Sequence, residues 1–151
     1  MAGIAARLAE LGIVLPQAPA PAANYVGWTV AGPLVHVAGQ GPVENGEITC
    51  AGKVGVDVTV EDAQAAARVT ALNVLAQLAQ ALDGDLDRVV RLFGLVNCAP
   101  DFTQQPQVIN GASDLMVEVF GDAGRHARAA IGAPALPMNI AVEVDGVFEV
   151  R

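Results

Sequence analysis

The chain has 151 residues, of which 53% are hydrophobic and only 16% charged, and its formal net charge is −8. That length suits one domain with a real core, while the charged fraction falls below the roughly 25% of an ordinary soluble domain. Eight Lys and Arg residues without a basic run, and an aromatic content of 4%, argue against nucleic acid as a partner, because such binding rests on phosphate neutralisation and base stacking.

Ile4, Ala5, Leu8 and Leu11 recur at helical spacing and Gly12 offers a stop, which predicts a short amphipathic helix. Arg7 and Glu10 interrupt its apolar pattern, so this stretch lacks the apolar run of a signal peptide. No segment approaches the ~18 uncharged apolar residues of a membrane helix, and a cytoplasmic protein with no membrane partner is expected. Residues 16–23, PQAPAPAA, form a proline-rich connector. Val26 to Val43 reads as strand, turn, strand, punctuated by Gly32-Pro33. Glu44-Asn45-Gly46-Glu47 is a hairpin turn in which Asn-Gly supplies the positive φ angles, with Ile48 to Lys53 returning as a strand.

Thr59 can cap a helix whose first turn carries Glu61 and Asp62, favourable at the positive helix end. Ala66, Val69, Leu72, Leu75, Ala79 and Leu82 predict its apolar stripe, and Asp83-Gly84 its end. Arg88 to Val96 alternates weakly but fits a buried strand. Pro100 to Pro106 reads as a polar loop. Val108, Ile109, Ala112, Leu115, Met116, Val119 and Phe120 define a second long helix closed by Gly121. Ala127 to Ile131 and Ile140 to Val150 read as the last two strands. The expected class is α+β, a two-layer sandwich with two long helices on one face of a mostly antiparallel or mixed sheet. The whole of 1–151 is expected to be one domain, with the helix and connector of 1–23 at its start.

Signatures such as GxSxG, a Walker loop or GxGxxG do not occur. Cys50 and Cys98 form no CxxC or Cys/His cluster, so buried thiols in a reducing compartment are expected, with no zinc site. His36, between Val35 and Val37, reads as structural or solvent-facing. His126 stands two residues from Arg128, where a hydrogen bond shaping the loop or a role beside the arginine both fit. Arg128 opens a strand among small apolar residues and needs an anion or exposure. Guanidinium is the natural fork for a carboxylate. Glu143 lies on the next strand in sequence, so if the two strands pair the two groups can approach. An Arg–Glu ion pair fixing strands or an interface is the structural alternative to a ligand clamp.

Three stretches resemble the RidA family (YjgF-like, imine/enamine deaminase superfamily, also labelled endoribonuclease L-PSP). They are ARAAIGAPALPMNIAVEVDGV from Ala127, Asn24-Tyr25-Val26 followed by LVHVAGQGP from Leu34, and Val108-Ile109-Asn110-Gly111-Ala112. In order and spacing the resemblance spans roughly residues 24–150, with the N-terminal helix marking a divergent branch. It implies a chorismate-mutase-like fold and a homotrimer with a site in each cleft between subunits. The low charged fraction agrees, since oligomers hide apolar surface. The activity it implies is hydrolysis of reactive 2-imino or enamine carboxylates to 2-keto acids and ammonia. Arg128 would hold the substrate carboxylate and Glu143 would orient the attacking water. Tyr25, Gly39, Asn110 and Ala130 match positions that line or shape the cleft. Such chemistry asks for no metal or organic cofactor, since an imine carbon is already electrophilic. Ala38 and Ala130 stand where deaminating members often carry serine and cysteine, so the site is less polar than theirs. A trimer that binds a small carboxylate without catalysis is the alternative function. Ribonuclease activity is disfavoured by the acidic charge.

Overall fold

The computed structural model describes residues 4–82 and 85–151. In chain order the elements are α1 (Ile4–Glu10), β1 (Trp28–Ala31), β2 (Leu34–Gln40), β3 (Val43–Glu44), β4 (Glu47–Ile48), α2 (Val60–Ala81), β5 (Leu86–Asn97), α3 (Gln105–Phe120), β6 (Ala127–Ala133) and β7 (Val142–Val150). Five strands form one sheet in the order β1-β2-β7-β5-β6, and β3-β4 is a separate two-stranded ribbon. β5 and β6 run parallel across the α3 crossover, and the other neighbours in the large sheet are antiparallel. This is the expected two-layer α+β sandwich.

Local chemistry explains the elements. Thr59 Oγ1 accepts from the Asp62 N–H at 3.1 Å and starts α2. Gly121, with φ 61°, closes α3 by donating its N–H to the Val117 carbonyl. Asn45 and Gly46, at φ 52° and 78°, make the β3-β4 turn as expected. Arg7 holds α1 in place by donating to the carbonyls of Glu118 and Val119, which the end of α3 leaves without helical partners. The proposed helix end at Asp83-Gly84 lies outside the described residues, as do the first residues before Ile4.

Four local expectations are corrected. α3 begins at Gln105, with Pro106 in its first turn, where a missing N–H costs nothing; the polar loop therefore stops sooner. The return strand after the hairpin is only Glu47–Ile48, with Ala51 making an isolated bridge to Ile140. The buried side of α2 runs through Ala63, Ala67, Thr70, Val74 and Leu78, whereas Val69 and Leu72 are half-buried and Ala79 is exposed. Sheet, α3 and loops all press on α2, so polar Thr70, Asn73 and Gln77 lie inside as well.

The fourth correction matters most. The last two strands do not pair, because β5 lies between them. The segment joining them wraps the end of β5: Cys98 N–H donates to Ala133 O and Asn97 N–H to Ala141 O. Asn97 Nδ2 donates to Ile140 O, also at 3.1 Å from Asn139 Oδ1. Eight residues with two prolines provide no tight hairpin turn, but enough chain to step over one strand.

Candidate functional site

The sheet has two faces, and they divide the sequence-predicted site residues. Arg128 is opposite Leu92 and Ala130 opposite Gly94, on the side that packs against the helices. Glu143 is opposite Leu95, between buried Val142 and Val144, so its side chain takes the other face. Within one chain Arg128 and Glu143 are thus two strands apart and on opposite faces.

The first group lies at the edge strand β6. Arg128 donates to Ser113 Oγ at 3.1 Å and to the Pro106 carbonyl at 3.2 Å. Asn110, half-buried, falls on the same α3 stripe as Pro106 and Ser113 by helical spacing. His126 Nδ1 is 2.6 Å from the Gly124 carbonyl, and Nε2 is 2.9 Å from Ser113 Oγ. A carbonyl only accepts, so Nδ1 carries the proton; Nε2 then accepts from the Ser113 hydroxyl, whose oxygen accepts from Arg128. Burial lowers the His126 pKa against the opposing pull of the Gly124 carbonyl, and the Arg128 charge lowers it further. His126 therefore shapes the loop and, through Ser113, sets the guanidinium. Arg128 forms no salt bridge among the described residues. Two of its five N–H donors are spent on these partners, leaving an oriented cation with donors to spare.

The second group, Tyr25, Gly39 and Glu143, lines a groove of about 1330 Å³. Its wall is the connector, held by Gln77 Nε2 donating to the Pro19 carbonyl at 2.7 Å and by Tyr25, whose hydroxyl accepts from the Ala22 N–H. Asn73 Nδ2 fixes the opposite side through the Gly41 and Val43 carbonyls, while its buried Oδ1 has no donor. β2 carries an extra residue between Val37 and Gln40 against β7, a bulge that re-aims the strand. Gly39 there lies against Glu143: a Cβ on it would come within 3.0 Å of the carboxyl carbon. Glu143 is the one charged side chain lining the groove among the described residues. Burial raises its pKa, and the nearby Asp145 carboxylate raises it further. His36 is exposed on β2, as expected.

Asn73, Gln77, Ser113 and Met138 were missed as site residues. A signal existed for two: Thr70, Asn73 and Gln77 recur at helical spacing inside an alanine-rich helix, where polar groups must find partners. No such pattern marked Ser113 or Met138. Cys50 and Cys98 are free thiols. Among the described residues, no group of three or more His, Cys, Asp or Glu is placed to hold a metal, and no helix is long and apolar enough to cross a membrane.

Comparison with known proteins shows the family of the chain. The family described as "YjgF/chorismate_mutase-like, putative endoribonuclease" matches residues 5–149. Protein TCP17 of Trypanosoma cruzi is 50% identical over 152 residues, covering 98% of this chain and 94% of that protein. The structure of Atu1372 from Agrobacterium tumefaciens, a protein of unknown function, is 49% identical with a TM-score of 0.89, over 98% of this chain and 92% of that one. RidA from an Antarctic Psychrobacter shares the fold at 21% identity and a TM-score of 0.63, over 89% of this chain and 94% of that one. The match of the family along residues 5–149, with a relative 50% identical over nearly the whole chain, makes the protein a member of the YjgF/RidA-like family.

Proposed function

We propose that the protein hydrolyses small reactive 2-imino or enamine carboxylates to 2-keto acids and ammonia, in clefts between the subunits of a homotrimer. The observation that carries this is Arg128: an oriented guanidinium, without a carboxylate of its own among the described residues, is a receptor for a substrate carboxylate. The groove supplies the other half. Glu143 takes a proton from water as the water oxygen bonds to the imine carbon; the nitrogen receives protons and leaves as ammonia, and the carbon–oxygen double bond forms. Burial raises the pKa of this carboxyl, which makes it a better proton acceptor than an ordinary exposed carboxylate. Arg128 and Glu143 lie on opposite faces, so bringing both to one substrate calls for a second chain. Edge strand β6, with Ile131 47% exposed, provides apolar surface for that contact. One domain per chain, a cytoplasmic setting and a reaction that needs no cofactor belong to the same reading.

Ala38 and Ala130 favour a second reading, since neither side chain offers a donor to the cleft. The protein would then bind a small carboxylate without turning it over. Generating 2-iminopropanoate in situ with an amino-acid oxidase and following its decay separates the two. Micromolar protein should accelerate the decay, and Arg128→Ala should lower kcat/KM by about 100-fold. No acceleration, with Arg128-dependent binding of the keto acid, would establish the second reading. The acidic charge speaks against an RNA substrate.

A further inference from the structure

We propose that the connector end of the groove is a side-chain subsite that takes 2-imino acids with a branched or aromatic apolar side chain in preference to a methyl group. This rests on the hydrolase reading of the site and names its substrate class.

The groove is larger than a methyl-bearing imine could use, exceeding the roughly 300–1,000 Å³ of common ligand pockets at about 1330 Å³. Glu143, its one charged side chain among the described residues, lies beside Gly39. Much of the remaining wall is apolar: Pro19, Ala20, Val26, Ile48, Met138 and Ile140. With its carboxylate on the Arg128 of a second chain and its reacting carbon beside Glu143, a substrate would turn its side chain toward these walls.

Met138 is the pointed feature. It is 64% exposed and lines the groove. Both it and Asn139 adopt φ 56°, left-handed backbone that residues other than glycine rarely take and that clusters at functional sites. A polar lock holds them there. Asn97, fully buried, bonds Asn139 and the Ile140 carbonyl. Lys53 Nζ donates to Asn97 Oδ1 at 3.0 Å and to the Pro134 carbonyl. A partly buried network thus keeps one flexible apolar side chain on the rim, and methionine adapts to varied apolar shapes.

The test compares leucine-derived with alanine-derived imine as substrates. In parallel, calorimetry compares 4-methyl-2-oxopentanoate with 2-oxopropanoate as ligands, which requires no turnover. A buried methylene is worth about fourfold in affinity, so three further carbons should favour the larger compound by about tenfold or more in both measurements. Met138→Gly removes the side chain where glycine is comfortable at positive φ, so the variant should fold; it should narrow the preference about fivefold. Binding preference without turnover would support the subsite and count against hydrolysis instead. A ratio near one or below, no measurable binding of either oxo acid, or a preference untouched by Met138→Gly would overturn the proposal.

Discussion

At the scale of single residues, the two proposed reacting groups differ in how their charge is controlled. Arg128 has its position set by Ser113 and the Pro106 carbonyl. Glu143 titrates. Burial and Asp145 raise its pKa above the ordinary 4.5, so the folded chain holds that proton more tightly than the unfolded one. This contribution to stability is present in acid and is lost as pH rises from 4.5 through the raised value. Water activation needs the ionised form, so kcat/KM should climb with pH through that same raised value. Asp145→Asn removes a neighbouring negative charge, and the midpoint of the climb should move to lower pH. A pH–rate profile checks this, and a midpoint that stays or moves up would assign the base elsewhere. Both residues were legible in the sequence from charge in apolar strands. Their relation was not, because pairing of two final strands is only the commoner outcome and nothing local announces a strand inserted between them.

At the scale of elements, two features explain what periodicity could and could not reveal. The register of β5 against β7 shifts at two places, between Leu86 and Arg88 and between Val89 and Arg91. Each adds a residue, so Leu86, Val89 and Leu92 are buried at every third position before alternation resumes. The weak alternation of that stretch is thus two bulges, invisible without the partner strand. α3, by contrast, read cleanly: Val108, Ile109, Ala112, Leu115, Met116 and Val119 are all buried. Between them the helices meet through Gly111, where a Cβ would lie 2.0 Å from the Gln64 carbonyl oxygen. Backbone cannot yield as a side-chain tip can. Gly111→Ala should therefore cost about 3 kcal/mol by overpacking, measured as a lower denaturant midpoint, and by tilting α3 it should also disturb Arg128. A loss under ~0.5 kcal/mol would mean that the helices part freely.

At the scale of the whole molecule, the opposite placement of Arg128 and Glu143 makes a sharp prediction. Arg128→Ala and Glu143→Gln should each retain about a hundredth of wild-type activity or less alone. Mixed by co-refolding, they should regain about a quarter of wild-type activity, because one cleft in four then receives arginine from one variant and glutamate from the other. Mixtures that stay inactive would put both groups in one chain's site or in none. The same samples should scatter light as three times the 15.4 kDa chain.

The clasp of Arg7 on the end of α3 has a consequence in time. These partners are 112 residues apart, so α1, made before α3, lacks this docking place until α3 has been synthesised. At ~5–20 residues per second the nascent chain carries α1 unattached for many seconds. Gln77, only 58 residues from Pro19, can catch the connector well before then. The tether on the connector can thus form earlier in synthesis than the clasp on α3, an order set by two sequence separations.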